Sequence, residues 1–180
     1  KYATNKSAKE AYAIGLYLSG GTEKAMTKVN ENKIFGSGTQ KERHAIRLSG
    51  SDYVTIDKNT VSKADGCGIF LLSSNCVTVS RNQITDAVRA GIYTTGTCKK
   101  TAVKKNTVKN AGEEAIKLYQ APESYASENV IRAGSNFAGI RVSESNKAKV
   151  KKNTIKGGLN GKQVWIYSSE QCTNSGNICK

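Results

Sequence analysis

The sequence is poor in several things at once. It has one proline, one tryptophan and one histidine, His44, in 180 residues. No apolar run approaches the ~20 residues that a membrane-spanning helix needs, so membrane insertion is not expected. A lone histidine and five cysteines (67, 76, 98, 172 and 179), none of them in a CxxC pair, speak against a structural zinc site. The odd cysteine count means that not all can pair within the chain, although Cys172 and Cys179 are near enough in sequence to staple a terminal coil. Acids are scarce: 14 Asp and Glu face 28 Lys and Arg, giving a net charge of +14. An excess of this size favours anionic partners, and it also serves solubility by opposing edge aggregation. The chain opens on Lys1 with no charged or apolar leader segment, so no signal peptide is visible. The repeat described below is running within the first 20 residues and continues to Lys180, from which we expect a piece of a longer protein carrying other domains.

What the sequence does have is a period. An Asn followed two residues later by Ile or Val recurs at Asn32, Asn59, Asn82, Asn106, Asn129 and Asn153. Asn177 continues the series with Cys179 in the Ile slot, and Asn5 is a candidate start. From Asn5 the steps are 27, 27, 23, 24, 23, 24 and 24 residues. A second signature keeps phase with the first: Gly15-Leu16-Tyr17-Leu18, Ala45-Ile46-Arg47-Leu48, Gly68-Ile69-Phe70-Leu71, Gly91-Ile92-Tyr93-Thr94, Ala115-Ile116-Lys117-Leu118, Gly139-Ile140-Arg141-Val142 and Gln163-Val164-Trp165-Ile166. A third, Val54-x-Ile56, Val77-x-Val79, Thr101-x-Val103 and Ala148-x-Val150, lies just before the Asn. Each set alternates with period 2, which makes these short strands, three to a coil. No helical stripe separates them, so a βαβ arrangement is excluded. One coil cannot bury its own apolar face, but coils stacked about 4.8 Å apart bury Ile over Ile and Val over Val.

The expected fold is therefore all-β: a right-handed single-stranded parallel β-helix of about seven coils of 23–27 residues, with residues 1–180 as one domain. The first two coils are longer, so their loops should protrude. The Asn falls at a sharp turn, where we expect it to take left-handed geometry and to bond to the Asn of the next coil.

These Asn-x-Ile and Gly-Ile-x-Leu coils resemble the right-handed β-helix repeats of the pectate-lyase-like superfamily, over nearly the whole chain and most clearly over 43–180. The resemblance is specific for fold, and the same fold carries many activities. It implies a substrate groove along the sheet that holds the Gly-Ile-x-Leu strands.

Residues flanking an inward Ile point outward, so this sheet's outer face can be read. One row holds Tyr17, Arg47, Phe70, Tyr93, Lys117, Arg141 and Trp165. The next holds Ser19, Ser49, Leu72, Thr95, Tyr119, Ser143 and Tyr167. Aromatic rings suit sugar faces and Arg suits carboxylates, so the expected ligand is an acidic polysaccharide and the expected setting is secreted or on the cell surface. A covering loop or neighbouring domain would explain the same aromatics, as in a structural stalk or adhesin spacer.

Neither outward row contains Asp or Glu, whereas glycoside hydrolysis needs two carboxylates across the bond. If the chain is an enzyme, a lyase or epimerase is the better fit, with Lys117, Arg141 and Tyr93 as candidate catalytic groups. Glu113, Glu114 and Glu144 are the candidate oxygen ligands should calcium take part. Solvated charges on exposed turns are the favoured account of these residues, and a surface or packing role is the favoured account of His44. A basic strip, Lys58, Arg81, Lys105 and Lys152, precedes the Asn column and is interrupted by Glu128. It lacks interleaved aromatics, so nucleic acid is not the expected partner.

Overall fold

The computed structural model describes residues 21–36, 44–159 and 162–180, together with the backbone of 14–17. Residues 37–43, where a protruding loop is expected, and Asn5 and Ser19 lie outside the described residues. Three parallel seven-stranded sheets run the length of the described residues, and each strand between the two ends pairs with its counterparts in the coils before and after it. The chain winds right-handed, as parallel crossovers within one sheet do. Seven strands per sheet correspond to about six complete turns, slightly fewer than the seven coils expected. The first sheet holds the Gly-Ile-x-Leu strands, such as Ile116–Tyr119. The second holds those before the Asn, such as Val54–Asp57, and the third those after it, such as Thr107–Lys109.

The interior is a set of columns. Ile46, Ile69, Ile92, Ile116 and Ile140 are fully buried and stacked in register, with Leu48, Leu71, Leu118 and Val142 beside them. Thr94 interrupts this second column. Its hydroxyl is rescued by the next coil, donating to the Tyr119 carbonyl at 3.1 Å and accepting from the Tyr119 amide at 3.1 Å. The glycine that opens the motif is required by close approach. A β-carbon at Gly68 would lie 2.6 Å from Ile84 and 2.7 Å from the Gly91 carbonyl oxygen.

The Asn column forms an unbroken ladder. Asn82 donates through Nδ2 to Asn106 Oδ1 at 2.9 Å, and its backbone amide reaches the same oxygen at 3.0 Å. Nδ2 also reaches back to the Ile56 carbonyl at 3.0 Å. The pattern repeats from Asn32 to Asn177. The left-handed geometry, however, does not fall on the Asn. It falls one residue earlier, on Glu31, Lys58, Arg81, Lys105, Glu128, Lys152 and Gly176. The amide must point inward to join the ladder, so the strained φ passes to a neighbour whose side chain is in water.

A serine column marks the corner between the first and second sheets. The Ser51 amide donates to Ser74 Oγ at 3.1 Å, the Ala121 amide to Ser145 Oγ at 2.9 Å, and the Ser145 amide to Ser169 Oγ at 2.9 Å. Cys98 and Ala121 take the serine's place in the middle coils. All five cysteines are thiols, so the proposed staple between Cys172 and Cys179 is not formed. The Cys172 sulfur instead lies against the carbonyls of Ser145 and Glu170.

Candidate functional site

In the first sheet the residue that follows each inward-facing Ile or Val of the motif faces out. Strand pairing places Arg47, Phe70, Tyr93, Lys117, Arg141 and Trp165 in one row, each opposite the next. Tyr17 is not part of it. Gly15 pairs with Arg47 and Tyr17 with Ser49, a slip of two residues from the sequence alignment. A two-residue slip preserves which side chains face in, so alternation alone cannot detect it. By backbone register Tyr17 aligns instead with Ser49, Leu72, Tyr119, Ser143 and Tyr167.

The row's side chains are all partly buried, and they lie on one another. His44 stacks on Phe70 with ring centroids 4.2 Å apart, and Phe70 meets Tyr93 edge-on at 5.4 Å. The Arg47 guanidinium lies over Phe70 at 5.7 Å, and Lys117 Nζ over Tyr93 at 4.6 Å. Arg141 lies over Trp165 at 5.5 Å and Tyr167 at 4.9 Å, and Lys162 Nζ covers Trp165 at 4.6 Å. The rings expected to offer open faces to a sugar therefore have cations on them. Such contacts contribute about 0.5–1 kcal/mol each at partly exposed sites, and they hold long cationic side chains in fixed positions.

The three glutamates named as calcium ligands are sent to separate partners. Glu113 pairs with Arg89 at 3.1 Å, and the buried Glu114 with Arg141 at 3.1 Å. Glu144 accepts from Gln120 Nε2 at 3.1 Å. No three His, Cys, Asp or Glu side chains gather among the described residues. The Arg141–Glu114 pair joins residues 27 apart in sequence, and Arg141 Nε and the Ser143 hydroxyl beside it are buried without hydrogen-bond partners.

Of the candidate catalytic groups, Lys117 does lie between Tyr93 and Arg141, one coil from each. Burial raises the Tyr93 phenol above its ordinary pKa, and the nearby Cys67 and Glu113 add to the shift although Thr95 and Arg89 oppose it. That direction works against Tyr93 as a base. Burial likewise raises the Tyr119 phenol, with Glu144 reinforcing the effect.

His44 is a packing residue. Besides stacking on Phe70, its Nδ1 accepts the Cys67 backbone amide at 3.0 Å. Burial, with the charges of Arg47 and Arg89, lowers its pKa to about 4, so it is neutral at physiological pH. Cys67 is pushed up to about 12 by burial and stays a thiol. Sequence reasoning overlooked Arg89 and Lys162. Both lie on the approach to a Gly-Ile-x-Leu strand, and Lys162 falls on the column of His44, Cys67, Ala90, Glu114 and Ala138. Following that column back from the strand motif would have found it.

The basic strip before the Asn column is largely neutralised from within. Arg81 grips Asp57 at 2.7 and 2.8 Å, Lys58 pairs with Glu31 at 3.4 Å, and Lys105 with Glu128 at 3.6 Å.

No curated protein matches the sequence. Among solved structures, the chain is similar to a provisionally assigned glycosyl hydrolase from Parabacteroides merdae. The TM-score is 0.60 and the identity 15%, over 82% of each chain. A pentapeptide repeat protein of Nostoc involved in heterocyst differentiation, HetL, aligns with a TM-score of only 0.16 at 7% identity, over 93% of this chain and 90% of that one, which supports no conclusion. The family model for the right handed beta helix region matches residues 12–179, nearly the entire length, and the chain belongs to that family.

Proposed function

We propose that this β-helix binds an acidic polysaccharide along the outward row of its first sheet, as part of a secreted or surface-exposed protein. The observation that carries the reading is the in-register row from Arg47 to Trp165, in which cations are held against aromatic rings instead of hanging free in solvent. Cations already immobilised lose less conformational freedom when a carboxylate arrives, a saving of about 0.5–1.5 kcal/mol per side chain. The ring edges beside them offer apolar contact to the sugar. The resemblance in fold to a provisionally assigned glycosyl hydrolase supports a carbohydrate ligand. No carboxylate pair lies across the row, and Glu114 is occupied by Arg141, which favours binding over hydrolysis.

The test is pull-down on polygalacturonate, alginate and a glycosaminoglycan at low salt. Binding to at least one is expected, and the double variant Arg47→Gln, Lys117→Gln should weaken it at least tenfold. Failure to bind any of them at low salt would sink the reading and favour a structural stalk. Appearance of new ultraviolet absorbance during incubation would instead mark eliminative cleavage, and Lys117→Ala should abolish it while leaving the fold intact.

A further inference from the structure

The third sheet carries a different charge pattern on its outer face. Lys109 pairs in register with Arg132, and Arg132 with Lys156. Lys180 continues the line, since the Gly157 amide donates to its carbonyl at 2.9 Å. All four side chains are exposed, and none has an ion pair among the described residues. Several cations elsewhere are answered from an adjacent coil. Glu31 serves Lys58, Asp57 serves Arg81, Glu113 serves Arg89, Glu123 serves Lys99 and Glu128 serves Lys105. Like charges directly opposite one another across strands destabilise a sheet. In an uncompensated line of them, at a coil spacing of about 4.8 Å, this repulsion would be relieved by an anion from outside.

The spacing and surroundings restrict that anion. Duplex DNA presents about one charge per 1.7 Å, far denser than one cation per 4.8 Å. Single-stranded nucleic acid is held by aromatic platforms, and the neighbouring outward positions are Thr107, Val130, Thr154 and Ile178. Val130 and Ile178 are about half exposed, at 51% and 54%, and give an apolar border to a sugar's C–H surface. A straight polymer with one carboxylate per sugar fits both features.

We propose that this line is a second polyanion track: a uronic-acid polymer lies along the third sheet against Lys109, Arg132 and Lys156, independently of the first sheet, so that one domain holds two polymer chains. The inference shares its polymer class with the function proposed above but none of its residues.

The experiment uses polygalacturonate as probe, with the triple variant Lys109→Gln, Arg132→Gln, Lys156→Gln beside the first-sheet double variant. These three side chains have no ion-pair partners among the described residues and repel one another, so the triple variant should keep or slightly raise the thermal midpoint of the parent. Wild type should cross-link polygalacturonate into sedimenting aggregates. Each variant should lose cross-linking while retaining weaker, single-chain binding, and the triple variant's log-affinity should fall less steeply with log salt, by roughly two to three in slope. If the triple variant binds and cross-links as wild type does, the track is overturned and the first-sheet reading stands. If the first-sheet variant changes nothing and the triple variant abolishes all binding, the track stands and the first-sheet reading fails. Tighter binding of duplex DNA than of polygalacturonate through these three residues overturns the polymer assignment.

Discussion

At the corner between the second and third sheets, every coil from Asn32 to Asn177 places the same side chain in the same ladder. At the corner leading into the first sheet the corresponding column reads His44, Cys67, Ala90, Glu114, Ala138 and Lys162. The first is uniform because each Asn amide is bonded to the coils on both sides, so no single coil can change its residue alone. The second has no such obligation. Its residues answer to local partners, His44 to the Cys67 amide and Phe70, Glu114 to Arg141, Lys162 to Trp165. Structural repetition and chemical variety are thus segregated to different corners of one coil, and the variable corner borders the candidate binding row.

The sharpest way to break this contrast is to remove one Asn. In Asn106→Ala, the Asn82 amide and Nδ2 lose their acceptor and the Val79 carbonyl loses its donor. Buried unsatisfied groups cost about 1–3 kcal/mol each, so a loss of about 4 kcal/mol is expected in chemical denaturation. At the variable corner, Arg141→Met leaves the Glu114 carboxylate buried and alone. A loss of about 3 kcal/mol is expected at neutral pH, and Glu114→Gln on top should recover part of it, which a double-mutant cycle would read.

His44 sharpens the comparison through pH. Its folded pKa of about 4 lies below the ordinary 6.5, so the unfolded chain binds the proton first as pH falls. The stability owed to neutral His44 is present above pH 6.5 and is lost between about 6.5 and 4, up to about 3 kcal/mol in total. His44→Asn should flatten thermal midpoints across that window.

The serine corner is intermediate and should respond least. Ser74→Ala removes the acceptor of the Ser51 amide and should cost about 1 kcal/mol in thermal midpoint assays.

The strands, their inward columns and the row from Arg47 to Trp165 were legible because alternation fixes parity and the Asn spacing fixes phase. Three things were not. The position of Tyr17 depends on register, which parity does not determine. The left-handed φ belongs to Lys58, Arg81 and their equivalents, because an Asn that must reach the next coil cannot also turn its side chain outward. The pairings of Glu113 with Arg89 and of Glu114 with Arg141 depend on side-chain reach between coils, which spacing alone does not specify.

The substitution of Thr94 for an aliphatic residue has a mechanical side. All inter-coil hydrogen bonds run along the axis of the stack, so tension applied at its two ends loads them in series and parts them one boundary at a time. The boundary between Ile92–Thr95 and Ile116–Tyr119 is where the Tyr119 amide is held by a threonine hydroxyl and where Cys98 and Ala121 leave the serine rungs unfilled. Under force that boundary is the one to yield first, with the Asn rung between Asn106 and Asn129 as its final hinge.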